Sequence, residues 1–231
     1  MSIYLLKQWV RTGNDPIAAL IYRLARSGIP SIRPLQIMLY HLHVGTRTLW
    51  TELVRIFYYT PLFQARLARP CQQLYLYSGL PFIMGSLQIK LGNGCRISGR
   101  STLSGRPASK NPILVVGDNC DIGWQTTIAV GTKVELQDHV RLSGNVFLAG
   151  YPGHPLDDED RAAGLPCTEE QIGDIVLEEG VWLATGVTVL AGVRIGKGSI
   201  IGAGSVVTKD IPAGVVAAGV PARIVKEVEN D

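Results

Sequence analysis

The chain has 231 residues, 46% of them hydrophobic and 18% charged, so it is globular and not an intrinsically disordered polymer. No uninterrupted apolar run approaches the roughly 18 residues of a membrane-spanning helix. The net charge of +3 is unevenly placed: residues 1–90 carry ten Lys and Arg against Asp15 and Glu52, a balance of +8, and the remainder carries 12 basic and 17 acidic residues.

Lys7 and Arg11 interrupt the first apolar run and no small-residue cleavage site follows, so no secretory signal is expected. Asp15-Pro16 is an N-cap followed by a first-turn proline, and Ile17, Leu20, Ile21 and Leu24 share one face of a helix that ends at Gly28. A second helix is predicted after Pro34, with Leu35, Met38, Leu39 and Leu42 on one side. A third follows Thr48, carries Leu49, Leu53, Ile56 and Phe57, and stops before Pro61. Residues 1–80 therefore form a basic, amphipathic α-helical extension. Arginines interleaved with Trp9, Trp50 and several tyrosines suit an anionic bilayer surface, reached through residues 1–70. The same helices can cap the chain's main domain or pack between subunits. Their apolar content argues against nucleic acid.

Residues 81–231 change character. Leu177, Leu183, Val189, Ile195, Ile201 and Val207 follow at intervals of six, with glycines between. A period of six matches neither a 3.6-residue helix nor a two-faced strand. It matches a mainly β solenoid in which each hexapeptide gives one short strand and one turn, and three close a triangular coil. Upstream, Leu91, Ile97 and Leu103, then Val116, Ile122 and Ile128, then Leu136, Leu142 and Leu148 keep the interval; the step of eight from Ile128 to Leu136 implies two extra residues at a corner. Two stretches interrupt the pattern, Ser104 to Leu114 and an extruded loop at 151–174. Cys71, Cys95, Cys120 and Cys167 form no CxxC pair and read as free thiols of a reducing, cytoplasmic setting.

From about Leu136 to Lys226 the chain resembles the hexapeptide-repeat acyltransferases, most closely the galactoside and maltose O-acetyltransferases. The resemblance rests on the loop Gly153-His154-Pro155-Leu156-Asp157, on Val181-Trp182-Leu183-Ala184, and on the run from Ile201 through Lys209-Asp210-Ile211-Pro212 to Val220-Pro221-Ala222-Arg223. It implies a left-handed parallel β-helix assembled as a homotrimer, with acetyl-CoA in a groove between subunits and no metal. His154 falls on the family's catalytic histidine, and neutral imidazole suits removal of a hydroxyl proton near neutral pH. Oxyanion stabilisation falls to a backbone N–H of Ala184 or Thr185. Coenzyme contacts map onto Trp182, Thr185, Ala203, Thr208, Lys209, Arg223 and Lys226, the cations suiting its phosphates.

Where the sugar acetyltransferases place an acceptor-binding Asn, this sequence has Gly123, Trp124 and Gln125, so Trp124 and Gln125 are the acceptor candidates. The acidic run Asp157–Asp160 reads as a solvated loop face, from which one carboxylate could orient His154. The expected activity is acetyl transfer to a sugar hydroxyl in polysaccharide or glycoconjugate synthesis, in the cytoplasm or at the inner face of its membrane. N-acetylation of an amino sugar or amino acid, and a non-catalytic scaffold, are the alternatives. A γ-class carbonic anhydrase needs three zinc-binding histidines, and the coils hold only His139 and His154.

Overall fold

The computed structural model describes residues 32–228 together with 16, 17, 19 and 20. The first predicted helix, Asp15 to Gly28, lies outside the described residues except for those four, which are helical. The chain divides into two units, Met1–Thr51 and Glu52–Asp231.

The second and third predicted helices are one: α1 runs unbroken from Arg33 to Val54. Thr48 does not start a new helix. The neighbouring threonines are absorbed in place, Thr46 donating to the Leu42 carbonyl at 2.9 Å and Thr51 to that of Arg47 at 3.0 Å. No residue of α1 is buried. Helical structure also continues through Pro61. A π-helical turn at Arg55–Tyr59 lets the Thr60 N–H reach the Arg55 carbonyl, and α2 (Thr60–Gln64) then begins with the proline in its first turn, where a missing N–H costs nothing. Phe63 of α2 is fully buried in the cluster that fills the solenoid. Gln64 exchanges two hydrogen bonds with the Cys71 backbone, which ties this segment to the first coil.

The solenoid is a parallel stack of about six coils with three faces. The first face runs Tyr75–Tyr77, Arg96–Ser98, Asp121–Ile122, Arg141–Leu142, Trp182–Leu183, Ile200–Ile201 and Val215–Gly219. The second runs from Phe82–Met84 to Val206–Val207 and the third from Gln88–Leu91 to Arg194–Ile195. The opening strand thus lies inside the stretch 1–80 that was expected to be helical. Among the described residues only Ala222–Glu227 runs antiparallel, folding back on Val215–Gly219 at the far end.

Six-residue spacing works because each third hexapeptide residue returns to the same face. Ile97, Ile122, Leu142, Leu183 and Ile201 sit in direct register, none more than 2% exposed. Each such side chain stabilises the stack by roughly 1.5–3 kcal/mol. The eight-residue step places two residues around Gly131–Thr132 and lengthens the flanking strands to Thr127–Val130 and Lys133–Leu136. One corner column needs a left-handed backbone in successive coils: Asn119 and His139 meet it at φ +51° and +64°, Gly180 and Gly198 at +71° and +68°. His139 is accordingly an exposed corner residue.

Candidate active site

The extruded loop leaves after Phe147–Ala149 and rejoins the third face at Ile175. Its tip carries His154, exposed, between Gly153 at φ +88° and the buried Pro155. Directly behind it Arg161 Nη1 donates to the carbonyls of Pro155, Leu156 and Asp157 at 3.1, 2.9 and 3.3 Å. One guanidinium therefore fixes the backbone on which His154 rides. Asp157 caps the short helix α3 (Asp158–Ala162), its carboxylate accepting the Asp160 N–H at 2.9 Å. The acidic run is thus a helix N-terminus, where negative charge is favourable. Among the described residues, no carboxylate hydrogen-bonds His154.

The returning limb is held by a residue that sequence reading passed over. Arg106, in the Gly-, Pro- and Ser-rich interruption, is only 3% exposed. It donates to Glu169 Oε1 at 2.7 Å, to Cys167 Sγ and Ser109 Oγ at 3.3 Å, and to the Cys167 carbonyl. At the loop's end Asp174 accepts from the Lys133 N–H at 3.0 Å and from the Thr132 hydroxyl.

The two oxyanion candidates separate. The Ala184 N–H is committed to the Ile201 carbonyl at 2.9 Å, inside the ladder. The Thr185 N–H, at the exposed corner after Trp182–Leu183, has no acceptor among the described residues. The Thr185 carbonyl accepts the Gly204 N–H at 2.9 Å, which stacks Ala203 one coil below it. Of the two, Ala184 therefore keeps no free backbone donor and Thr185 does, among the described residues.

Trp124 and Trp182 line one open cavity of about 520 Å³ on the first face, with Tyr75, Tyr77, Asp121 and Arg141. Trp182 is held by its Nε1 donating to Ser143 Oγ at 3.2 Å. Burial, then the nearby Asp121 carboxylate, pushes the Tyr77 phenol up to about 12, so it stays neutral. Gln125 sits at the adjoining corner with φ +55°, exposed and outside the cavity. Thr208 and Lys209 follow Val206–Val207 on the second face, two coils from the strand that launches the His154 loop. Arg223 and Lys226 are exposed on the antiparallel end strand. His154, Lys209, Arg223 and Lys226 are not among the residues that line this cavity with the two tryptophans.

The family model for bacterial transferase hexapeptide (six repeats) matches residues 174–209. Galactoside O-acetyltransferase of Escherichia coli (strain K12) is 40% identical over 115 residues, 50% of this chain and 54% of that protein. A Saccharomyces cerevisiae protein is 39% identical over 115 residues, 50% of this chain and 56% of its own. The chain thus spans about half the length of the curated relatives it matches. Among solved structures, the N-acyltransferase AntD from Bacillus cereus, in complex with dTDP and 3-hydroxybutyryl-CoA, shares the fold: TM-score 0.58, 18% identity, 73% of this chain and 87% of that one. Residues 174–209 are therefore a hexapeptide repeat of the bacterial transferase kind, set in a parallel β-solenoid that is similar over half the chain to an O-acetyltransferase.

Proposed function

We propose that the protein is an acetyl-CoA-dependent O-acetyltransferase acting on a sugar hydroxyl of a polysaccharide or glycoconjugate precursor. The observation that carries this is the unclaimed Thr185 N–H, presented on the coil that Trp182 opens, in a chain that also extrudes a loop with His154 set between Gly153 and Pro155. Similarity to a galactoside O-acetyltransferase supports acetyl transfer to oxygen and the acceptor class.

In this reading His154 takes the hydroxyl proton as the oxygen attacks the thioester carbonyl. The developing oxyanion is met by the Thr185 N–H. Collapse breaks the carbon–sulfur bond, the imidazolium returns its proton to the departing thiolate, and the products are the acetyl ester and free coenzyme A. Trp182 and Ala203 would flank the pantetheine arm, and Thr208, Lys209, Arg223 and Lys226 would hold its phosphates. Trp124 and Gln125 would contact the acceptor. Thiol release from acetyl-CoA in the presence of a panel of sugars and amines tests the assignment. Release with hydroxyl acceptors is expected; release with amines alone would make the protein an N-acetyltransferase, and none with either would reject acetyl transfer.

The scatter of these residues over one chain is explained if adjacent copies complete each site. A homotrimer of 25.0 kDa chains is expected, and light scattering that returned the mass of one chain would contradict both the assembly and the shared site.

In this reading residues 1–70 hold the protein to an anionic membrane surface, which suits a lipid-linked acceptor at the cytoplasmic face. α1 leaves Leu39, Leu42, Leu49 and Trp50 exposed, supporting this role. The full-length protein should float with anionic vesicles and less so as salt rises, since contacts of about 1 kcal/mol per basic residue are screened beyond roughly 10 Å at 0.1 M. No flotation at low salt would remove the membrane role.

A further inference from the structure

Five outward-facing residues of the first face stand one above another. Register pairs Tyr75 with Arg96, Arg96 with Asp121, Asp121 with Arg141, and Arg141 with Trp182. At one inter-strand spacing per step the row is about 19 Å long. Two further rings flank it. Tyr77 stacks on Tyr75 with centroids 6.5 Å apart, and meets Trp124 edge to face at 6.4 Å.

These rings are fixed yet remain partly exposed. Arg55 sits 4.4 Å from the Tyr75 ring centroid, and the Tyr75 hydroxyl donates to Glu52 at 3.2 Å. The Tyr77 hydroxyl donates to the Ile122 carbonyl at 3.2 Å. Yet Trp124 is 59% exposed, Trp182 45% and Tyr75 41%. The polar rungs are fixed as well. Arg96 pairs with Asp121 at 3.1 Å, and Arg141 is anchored by the Asn119 carbonyl and side chain. Aromatic side chains held in advance bind at little entropic cost.

A row of three charged residues, with an aromatic ring at each end and two more alongside, selects among ligands. A peptide strand needs a sheet edge, and this is a sheet face. A polyphosphate needs unpaired cations, and Arg96 already faces Asp121. A saccharide chain satisfies both features: its C–H faces lie on the rings, and its hydroxyls donate to Asp121 and accept from Arg96 and Arg141. A single ring would leave most of the row empty.

We infer that the first face binds a linear oligosaccharide of several rings along the coil axis, ending at Trp182. The acceptor is then a glycan chain and not a free monosaccharide, an identification that rests on the acetyl-transfer reading, whereas the binding itself does not.

The test uses the full-length protein and linear oligosaccharides of one to six rings, both neutral and carboxylate-bearing, with binding followed by calorimetry and transfer by thiol release. Affinity should rise with chain length in at least one series. Tyr75→Ala and Arg96→Gln, at the end far from Trp182, should each lower affinity for the longest chain by about three- to tenfold and leave that for the shortest unchanged. Coenzyme A affinity should stay at the wild-type value, which also shows that the variants are folded. No gain with length in any series, or variants indistinguishable from wild type, would overturn the inference; a second copy covering this face would give that result. Length-dependent binding without thiol release would uphold the groove and reject acetyl transfer. Transfer to monosaccharides with no gain from length would do the reverse.

Discussion

Replacing His154 by Ala or Asn should lower acetyl transfer by roughly 10²–10⁴-fold, the usual contribution of a positioned general base, and leave coenzyme A affinity close to wild type. The side chain stands at an exposed loop tip, with no hydrogen-bond partner among the described residues to lose, so neither substitution should disturb the fold. The backbone there is shaped by Gly153, Pro155 and the three carbonyl contacts of Arg161, none of which the imidazole supplies. Loss of turnover without loss of stability therefore isolates chemistry from structure. The other histidine of the coils gives a control. His139 is an exposed corner residue whose ring meets Asn119 at 3.1 Å, and its replacement by Asn, which tolerates the same left-handed backbone, should leave turnover unchanged. Near wild-type transfer by the His154 variants, on any accepted sugar, would remove the base from the mechanism.

The solenoid was legible because its periodic residues all do one job. Leu183, Ile201 and their counterparts fill a narrow interior, and any departure from an aliphatic side chain would leave a void or a clash. The regular interval of 18 from Leu183 to Ile201 made that pattern visible. Upstream, the same stacked column is reached by uneven steps, from Leu76 to Ile97 to Ile122, because the corners carry insertions of different lengths. The opening strand, Tyr75–Tyr77, therefore reads as part of the helical extension. The break expected at Thr48 failed for a local reason: threonine starts helices, but it also bonds back to the preceding turn inside them, and sequence does not distinguish the two.

At the site, His154 was readable as a polar loop residue framed by glycine and proline, and its role came with the resemblance. The choice between Ala184 and Thr185 was not readable. It depends on which N–H the neighbouring coil consumes, and the acceptor, Ile201, belongs to the next coil. Arg106 was invisible for a similar reason. Its partners Cys167 and Glu169 lie 61 and 63 residues away. The one available signal was a lone arginine in an interruption otherwise made of glycine, proline, serine and neighbours that form turns.

Arg106 should matter nearly as much as the histidine, through position. In Arg106→Met the buried side-chain volume is largely kept, but the Cys167 carbonyl loses its donor and Glu169 its ion pair. An orphaned buried acceptor costs about 1–3 kcal/mol. The Glu169 share is small, because that carboxylate is 75% exposed and well solvated. The returning limb of the loop would then detach from the coils, and the histidine at its tip would lose its fixed placement. A misplacement of about 1 Å can cost on the order of 10² in rate. The variant should therefore be about 2 kcal/mol less stable, with its chief kinetic loss in kcat and little change in coenzyme A affinity. Protease cleavage within 151–174 should accelerate in the variant and should be slowed again in Arg106→Lys, which restores one donor but not the fork. Glu169→Gln should have little effect on either reading. A folded Arg106→Met protein with unchanged turnover and unchanged loop cleavage would show that the loop holds its histidine by other means.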